Sequence, residues 1–324
     1  MAIGKTSDFQ IYQEEFFGGM SEVIEQEANA FNAASNNSLI LTPTRLKGDY
    51  EKESFIKSIA GLVSRRDTTA TTDATDIAMT MGEHVSVKVN RKIGPVAQTL
   101  DAWRKLGEDP STMSFQLGKQ IGKAVALDYV NTAITAAVAA LKGVAALKHD
   151  GSLGTITHTA MNQAMAKRGD AANALACWVM HSKAYFDLIG QQIADKLYEV
   201  ASATVYAGTV ATFGKPVVVT DAPGLWDANG SATDTYNTLC LVPGAVNVKQ
   251  SEAQEIVSQL ITGKENLVMR IQGEYAFNVG ITGFAWDVTN GGANPADAAI
   301  GTSTNWDSSA SNNKSRAGVL LVTQ

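Results

Sequence analysis

The sequence predicts an α+β protein built on an elongated domain, and three observations carry that expectation. A helical pattern runs from Pro110 to Lys142, a strand pattern alternates for about fifteen residues from Leu267, and short helices and strands alternate between them. At 1.5 Å per residue the helix is roughly 45–50 Å long. At about 3.3 Å per residue the strand is roughly 50 Å long. Elements of such matched length can lie against each other in one long domain, while the alternating middle forms a second, α/β unit. A chain of 324 residues exceeds one ordinary core, which agrees with two units or with one that carries long excursions.

In chain order, Phe9, Tyr12, Phe16, Met20, Ile24 and Phe31 recur near helical spacing, with Glu14, Glu15, Glu22, Glu25 and Glu27 between them. This is an amphipathic helix with one apolar stripe, from Asp8 to about Ala34. The spacer Ser-Asn-Asn-Ser follows, then a short strand at Ser38 to Thr42. The stripe must be covered, by the chain's own domain or by a neighbouring subunit, and the spacer favours the neighbour.

Between Arg45 and Lys92 a polar, threonine-rich stretch (Val63 to Asp76) precedes Val85, Val87 and Val89, which alternate with polar residues. A strand, a long polar tip and a returning strand make a projecting β-hairpin, and a loop of that length is usually functional or disordered. In the long helix Asp109 is placed as N-cap and Pro110 as the first helical residue, where its missing N–H costs nothing. Leu117, Ile121, Val125, Val130, Ile134, Val138 and Leu141 follow at three- and four-residue steps, and Gly143 offers the stop.

From Gly151 to Thr262 the chain reads as a mixed α/β unit. Ala174 to Ser182 reads as a buried strand, Ser182 caps a helix with Phe186, Ile189, Ile193 and Leu197 on one face, and strands at Gly214–Gly224 and Asn237–Gly244 close in Pro-Gly turns. In the long strand Leu267, Met269, Ile271, Tyr275, Phe277, Val279 and Ile281 point one way, and Arg270, Gln272, Glu274, Asn278 and Thr282 the other. The chain then runs through a polar excursion that carries Trp286 and Trp306 and closes on a Val-Leu-Leu-Val run. Disordered tails are poor in large aromatics, so this excursion is expected to be fastened at both ends.

Chemistry is poorly represented. The sequence lacks Gly-x-Ser-x-Gly, the P-loop signature and the dinucleotide glycine motif, and His84, His149, His158 and His181 share no metal-ligand spacing with each other or with the cysteines. Asp73 and Asp76 read as solvated loop residues, and Arg168-Gly169-Asp170 as the turn after a helix. No catalytic, cofactor-binding or metal-binding residue is predicted, and no cofactor. Cys177 and Cys240 read as buried free thiols, with a disulfide the lesser alternative. Twenty-six Lys+Arg against 32 Asp+Glu give a net charge of −6, and the longest basic cluster is Arg65-Arg66, so sequence-directed nucleic-acid binding is not expected. No apolar run of about 20 residues or secretory leader is expected.

Three stretches then show a resemblance: Cys177 to Gln191, Phe213 to Gly224, and the long strand running into Gly283-Phe284-Ala285-Trp286-Asp287-Val288. In this order they resemble the major capsid proteins of tailed bacteriophages, which share the Hong Kong 97-type fold. The closing segment from Pro295 is similar to one branch of that family. The resemblance implies an N-terminal arm (1–44), an extended hairpin loop (45–92), a peripheral domain with a spine helix (93–150), an axial domain (151–262) and a return to the peripheral domain (263–324). The tail would supply a polar loop beside threefold lattice contacts.

It further implies a coat protein that assembles as hexamers and pentamers into an icosahedral head around double-stranded DNA, in the virion, after assembly in the host cytoplasm. Partners would be the chain itself, a scaffolding protein (separate or already removed, since the arm begins within ten residues of Met1), a portal and a decoration protein, with no membrane. The cross-linking chemistry of some members is not carried over, because no position here matches a motif that identifies the paired Lys and Asn. Two alternatives stand beside this reading. One is a bacterial nanocompartment shell of the same fold, and the other is an α/β enzyme with an unrecognised site.

Overall fold

The structure, a computed structural model, describes residues 20–43 except 21, 25, 27 and 30, residues 48–99 except 58, 60 and 74, and residues 101, 110–199, 212–228 and 233–324. The first part of the apolar stripe (Phe9, Tyr12, Phe16) and the expected cap Asp109 lie outside these residues.

Two sheets organise the chain. The first contains β1 (Leu39–Pro43), β2 (Tyr50–Ile56), β3 (Met81–Thr99), β9 (Val246–Ile261) and β10 (Val268–Ile281) in the order β1-β9-β10-β3-β2. The second contains β4 (Lys148–Asp150), β5 (Cys177–Met180), β6 (Val217–Val219), β7 (Trp226–Asp227), β8 (Thr235–Leu241) and β13 (Gly318–Thr323). Its order is β4-β13-β8-β5-β6, with β7 also on β8. β11 (Phe284–Trp286) and β12 (Trp306–Ser308) form a separate pair.

Sheet membership departs from the sequence-based partition at two places. β9 lies within the stretch read as the middle unit, yet it pairs along its length with β10, because Val268–Ile261 through Ile281–Val246 form one hairpin ladder. β13 closes the polar tail, yet it is the second strand of the six-stranded sheet, parallel to β4 and antiparallel to β8.

The long helix α1 runs from Pro110 to Lys142, as its periodicity predicts. It packs on the face of β10 that carries Tyr275 and Phe277, whose rings lie 5.8 and 4.8 Å from that of Tyr129, edge to face. The expectation of a single apolar stripe fails towards its end. From Ala136 to Leu141 every residue is buried, because this alanine-rich stretch lets other elements approach from all sides. The same composition makes Phe115–Lys142 long and apolar enough to cross a membrane, contrary to expectation, but 67% of its most apolar window is buried inside the protein.

Described residues between 20 and 34 are helical, and they pack on this chain's own α1. Met20 and Val23 are buried, and the contact is at Gly122, where a Cβ would lie 2.9 Å from the Met20 carbonyl oxygen and 3.4 Å from Val23 Cβ. Ile24 and Phe31 also pack against the core. For this part of the stripe, covering by a neighbouring subunit is therefore corrected: the chain covers it itself. The polar spacer did not separate the two because Asn32, just before it, and Ser35 within it are used internally. Asn32 bonds the backbone of Leu41 and Ser35 that of Leu39, turning the chain straight into β1.

The shorter helices are α2 (His158–Ala166), α3 (Ser182–Glu199) and α4 (Asp297–Ile300). Ser182 is the first residue of α3 and not its cap. His181 Nδ1 accepts from the Lys183 N–H (3.1 Å) and Asp221 Oδ1 from the Ser182 N–H (3.2 Å). The buried face of α3 carries Ala184 and Leu188, and Phe186, expected inside, is 65% exposed. The side chains of Ile193 and Leu197 lie outside the described residues.

Cys177 and Cys240 are free and buried on adjacent strands β5 and β8. Burial pushes the Cys177 thiol up to about 11 and that of Cys240 higher still.

Candidate assembly surface

The hairpin is the first candidate surface. β2 pairs with β3 from Tyr50–Val87 to Ile56–Met81, and the Lys57 N–H donates to the Thr80 carbonyl (2.9 Å). Beyond that point every described residue from Gly61 to Thr80 is exposed. Asp67 organises part of the tip by accepting from the Thr69 N–H and hydroxyl (2.9 and 2.7 Å), which hold its carboxyl below the usual range. The tip is less polar than the sequence suggests. Ile56, Leu62, Val63, Ile77, Met79 and Met81 are all exposed, Val63 to 95%. Ile77, Met79 and Met81 alternate at strand spacing, but Leu62 and Val63 are adjacent, and the pattern alone does not show whether this face is covered. An exposed apolar cluster of this kind marks a contact surface.

Arg65 and Arg66 sit in the same exposed stretch. Replacing both by Ala is expected to leave the monomer's melting temperature unchanged and to lower the resistance of assembled particles to salt and heat. Exposed ion pairs contribute only about 0–1 kcal/mol each, but a shell repeats every contact. Equal particle stability in variant and wild type would exclude a role between subunits.

The polar tail is the second candidate. Trp286 and Trp306 face each other across the β11–β12 pair, with ring centroids 5.0 Å apart and planes at 75°. Trp286 Nε1 donates to the Gly292 carbonyl (3.0 Å) and Trp306 Nε1 to that of Ile300 (2.9 Å), so each indole holds one end of the excursion. Gly291 lies against Trp286, where a Cβ would be 2.2 Å from the ring. The expected fastening is therefore present.

Arg91 on β3 joins tail, helix and sheet. Its Nε donates to Asp128 Oδ2 (3.1 Å), and its Nη2 donates to Thr132 Oγ1 (3.2 Å) and Asp297 Oδ1 (2.5 Å). The Tyr275 hydroxyl donates to Asp128 Oδ2 (2.7 Å). Burial opposes the charge on Arg91, but the bonds to Asp297 and Asp128 outweigh it and raise its pKa. A cavity of about 400 Å³ lies here, lined by Arg91, Asp128, Asn131, Thr132, Lys142 and Asp297 among others. Its cations are already paired, Lys142 with Asp227 at 2.7 Å. It is a polar joint.

The remaining sequence candidates are dispersed. His84 is on β3, His149 on β4, His158 opens α2 and His181 precedes α3. Among the described residues no group of three His, Cys, Asp or Glu is placed to hold a metal. His181, Ser182 and Asp221 are neighbours, but they do not form a nucleophile–base pair. Asp221 Oδ1 accepts from the Ser182 N–H, and His181 Nε2 lies 3.5 Å from the same carboxylate, so all three serve the helix start. Asp73 and Asp76 lie in the exposed tip. Arg168 is buried and donates to the carbonyls of Arg316 (2.9 Å) and Lys314 (2.5 Å), while Asp170 pairs with Lys314 (2.5 Å). Arg168-Gly169-Asp170 is thus a clasp on the tail, and Gly169 turns at φ 62°.

This architecture, two sheets along a long helix with a projecting hairpin, recurs in viral shells. The acid-stable capsid structure of Helicobacter pylori bacteriophage KHP30 matches with a TM-score of 0.53 at 10% identity, covering 90% of this chain and 89% of that one. The capsid asymmetric unit of cyanophage Pam1 matches with 0.52 at 12% identity, covering 86% and 85%. A structure from Mycobacterium phage Adephagia matches with 0.52 at 7% identity, covering 88% and 87%. The fold is the Hong Kong 97-type capsid fold. No curated protein sequence matches the chain. The chain belongs to the Gp13-like family, major capsid protein 13-like, whose match spans residues 8–320. It is a phage coat protein, a structural component of the virion capsid that associates with itself.

Proposed function

We propose that the chain closes an icosahedral head from hexamers and pentamers around double-stranded DNA, assembled in the host cytoplasm with a scaffolding protein and completed by a portal and decoration protein. The observation that carries this reading is the pairing of a 33-residue helix with strands of 19, 16 and 14 residues, from which the hairpin projects with its apolar tip uncovered. Long flat elements tile, and an uncovered tip requires a neighbour. In this assignment residues 1–44 are the arm, the β2–β3 hairpin the extended loop, α1 with β9 and β10 the peripheral domain, and the six-stranded sheet with α2 and α3 the axial domain. The role is structural, without catalysis. Family membership favours this reading over a nanocompartment shell.

Electron microscopy of the purified protein, alone and with the scaffold, is expected to show closed shells or capsomer rings. A species that stays monomeric near 34 kDa at high concentration with scaffold present would refute it.

The wall is also expected to let packaged DNA slide. With a net charge of −6 and with Arg91 and Lys142 already ion-paired, the protein should show no salt-sensitive affinity for duplex DNA at physiological ionic strength. Micromolar binding that weakens steeply with added salt would contradict this.

A further inference from the structure

We propose that the root of the hairpin is held by a hydrated latch, in which Lys249 of β9 crosses two strands to grip Glu51 of β2 over a water site served by Asn278. The register makes this geometry visible. Asn247 pairs with Gly280 and Ser86 with Glu51, and Gly280 lies beside Ser86, so the four form one row across β9, β10, β3 and β2. On this face β10 carries Ala276, Asn278 and Gly280, and all three are buried. The small side chains leave a trough, and two lysines lie across it in opposite directions.

Lys249 Nζ reaches Glu51 Oε1 and Oε2 at 2.9 and 3.0 Å, with Glu53 Oε1 at 3.9 Å. Lys88 runs the other way, from β3 to Glu252 on β9. The apolar stems of such lysines can roof a trough while their ammonium groups pair at its rim. Gly280 keeps the path open. A Cβ there would lie 3.1 Å from Ser86 Cβ and 3.3 Å from His84 Nε2. Backbone ladders bind each strand only to its neighbours, so this ion pair is a tie between β2 and the trunk of the sheet that bypasses them.

The water site rests on a separate observation. Asn278 is 1% exposed, and neither its Oδ1 nor its Nδ2 has a hydrogen-bond partner among the described residues. It lines a cavity of about 50 Å³ with Glu51, Glu53, His84, Asn247 and Lys249. A water occupies about 30 Å³ in the liquid and settles where two to four polar groups converge. A donor, an acceptor, a carboxylate and an ammonium around so small a space meet that condition. Water there satisfies the amide and joins it to the Lys249–Glu51 pair.

The test is hydrogen exchange on the unassembled full-length protein. Lys249→Met and Glu51→Gln are each expected to speed exchange several-fold in peptides covering residues 50–56 and 81–87 and to leave β8 and β13 unchanged. The double variant should add little to either single one, since both remove the same contact. Unchanged hairpin exchange in Lys249→Met, or equal acceleration in β8 and β13, would overturn the latch. Asn278→Leu, of similar volume and without polar atoms, tests the water. If water bonds the amide, hairpin exchange rises. If exchange is unchanged or slower, the hydrated part is wrong.

Discussion

Trp306→Ala should lower the unfolding free energy by about 3–5 kcal/mol, the range for deleting a large buried aromatic. Trp306 is buried against the edge of Trp286 and donates to the Ile300 carbonyl, so its removal opens a void and orphans an acceptor together. The loss should be read as a lower urea midpoint, with accelerated hydrogen exchange across residues 284–308 appearing before that of the six-stranded sheet. Trp306→Phe keeps most of the packing and loses the donor, so about 1 kcal/mol should disappear. A Trp306→Ala protein that unfolds like wild type would show that the indole pair does not hold the excursion.

Removing residues 1–34 should destabilise the monomer as well as impair assembly. Met20 and Val23 are buried on α1 at Gly122, and each such side chain contributes about 1.5–3 kcal/mol. The truncated protein should therefore unfold at a lower midpoint and aggregate more readily, because the α1 face around Gly122 would meet water. Val23→Asp should reproduce much of the effect in the full chain by burying an unpaired carboxylate. A truncated protein with the wild-type midpoint would mean that residues 20–34 stabilise only contacts between subunits.

The elements that were legible in the sequence are those whose pattern is long and local. Thirty-three residues of helical spacing between a proline and a glycine identify α1, and the alternation from Leu267 identifies β10. That alternation gives way after Glu274, where Ala276, Asn278 and Gly280 are buried as deeply as Tyr275 and Phe277. Pairing was not legible. β9 alternates poorly, so only its ladder with β10 shows which sheet it joins. The tip apolars escaped notice because alternation such as that of Ile77, Met79 and Met81 does not tell whether the apolar face is covered. Asp128, Thr132 and Asp297 escaped because Arg91 gathers them from two stretches of chain distant from its own. The two tryptophans of the tail did announce themselves, since indoles in a Gly/Asn/Ser segment need a partner and each found the other.

The place of β13 has a consequence for when the protein becomes competent to assemble. β13 lies between β4 and β8, so until Gly318–Thr323 has been synthesised the six-stranded sheet is two fragments with open edges facing each other. Gly318 passes so close to β8 that a Cβ would lie 2.2 Å from the Cys240 carbonyl oxygen, which leaves that slot fitted to one strand and little else. A nascent or prematurely terminated chain can carry a finished helix and hairpin and still lack the sheet that holds the tail. Closure of the six-stranded sheet is thereby tied to synthesis of β13, and only a chain read through Thr323 can join β4 to β8.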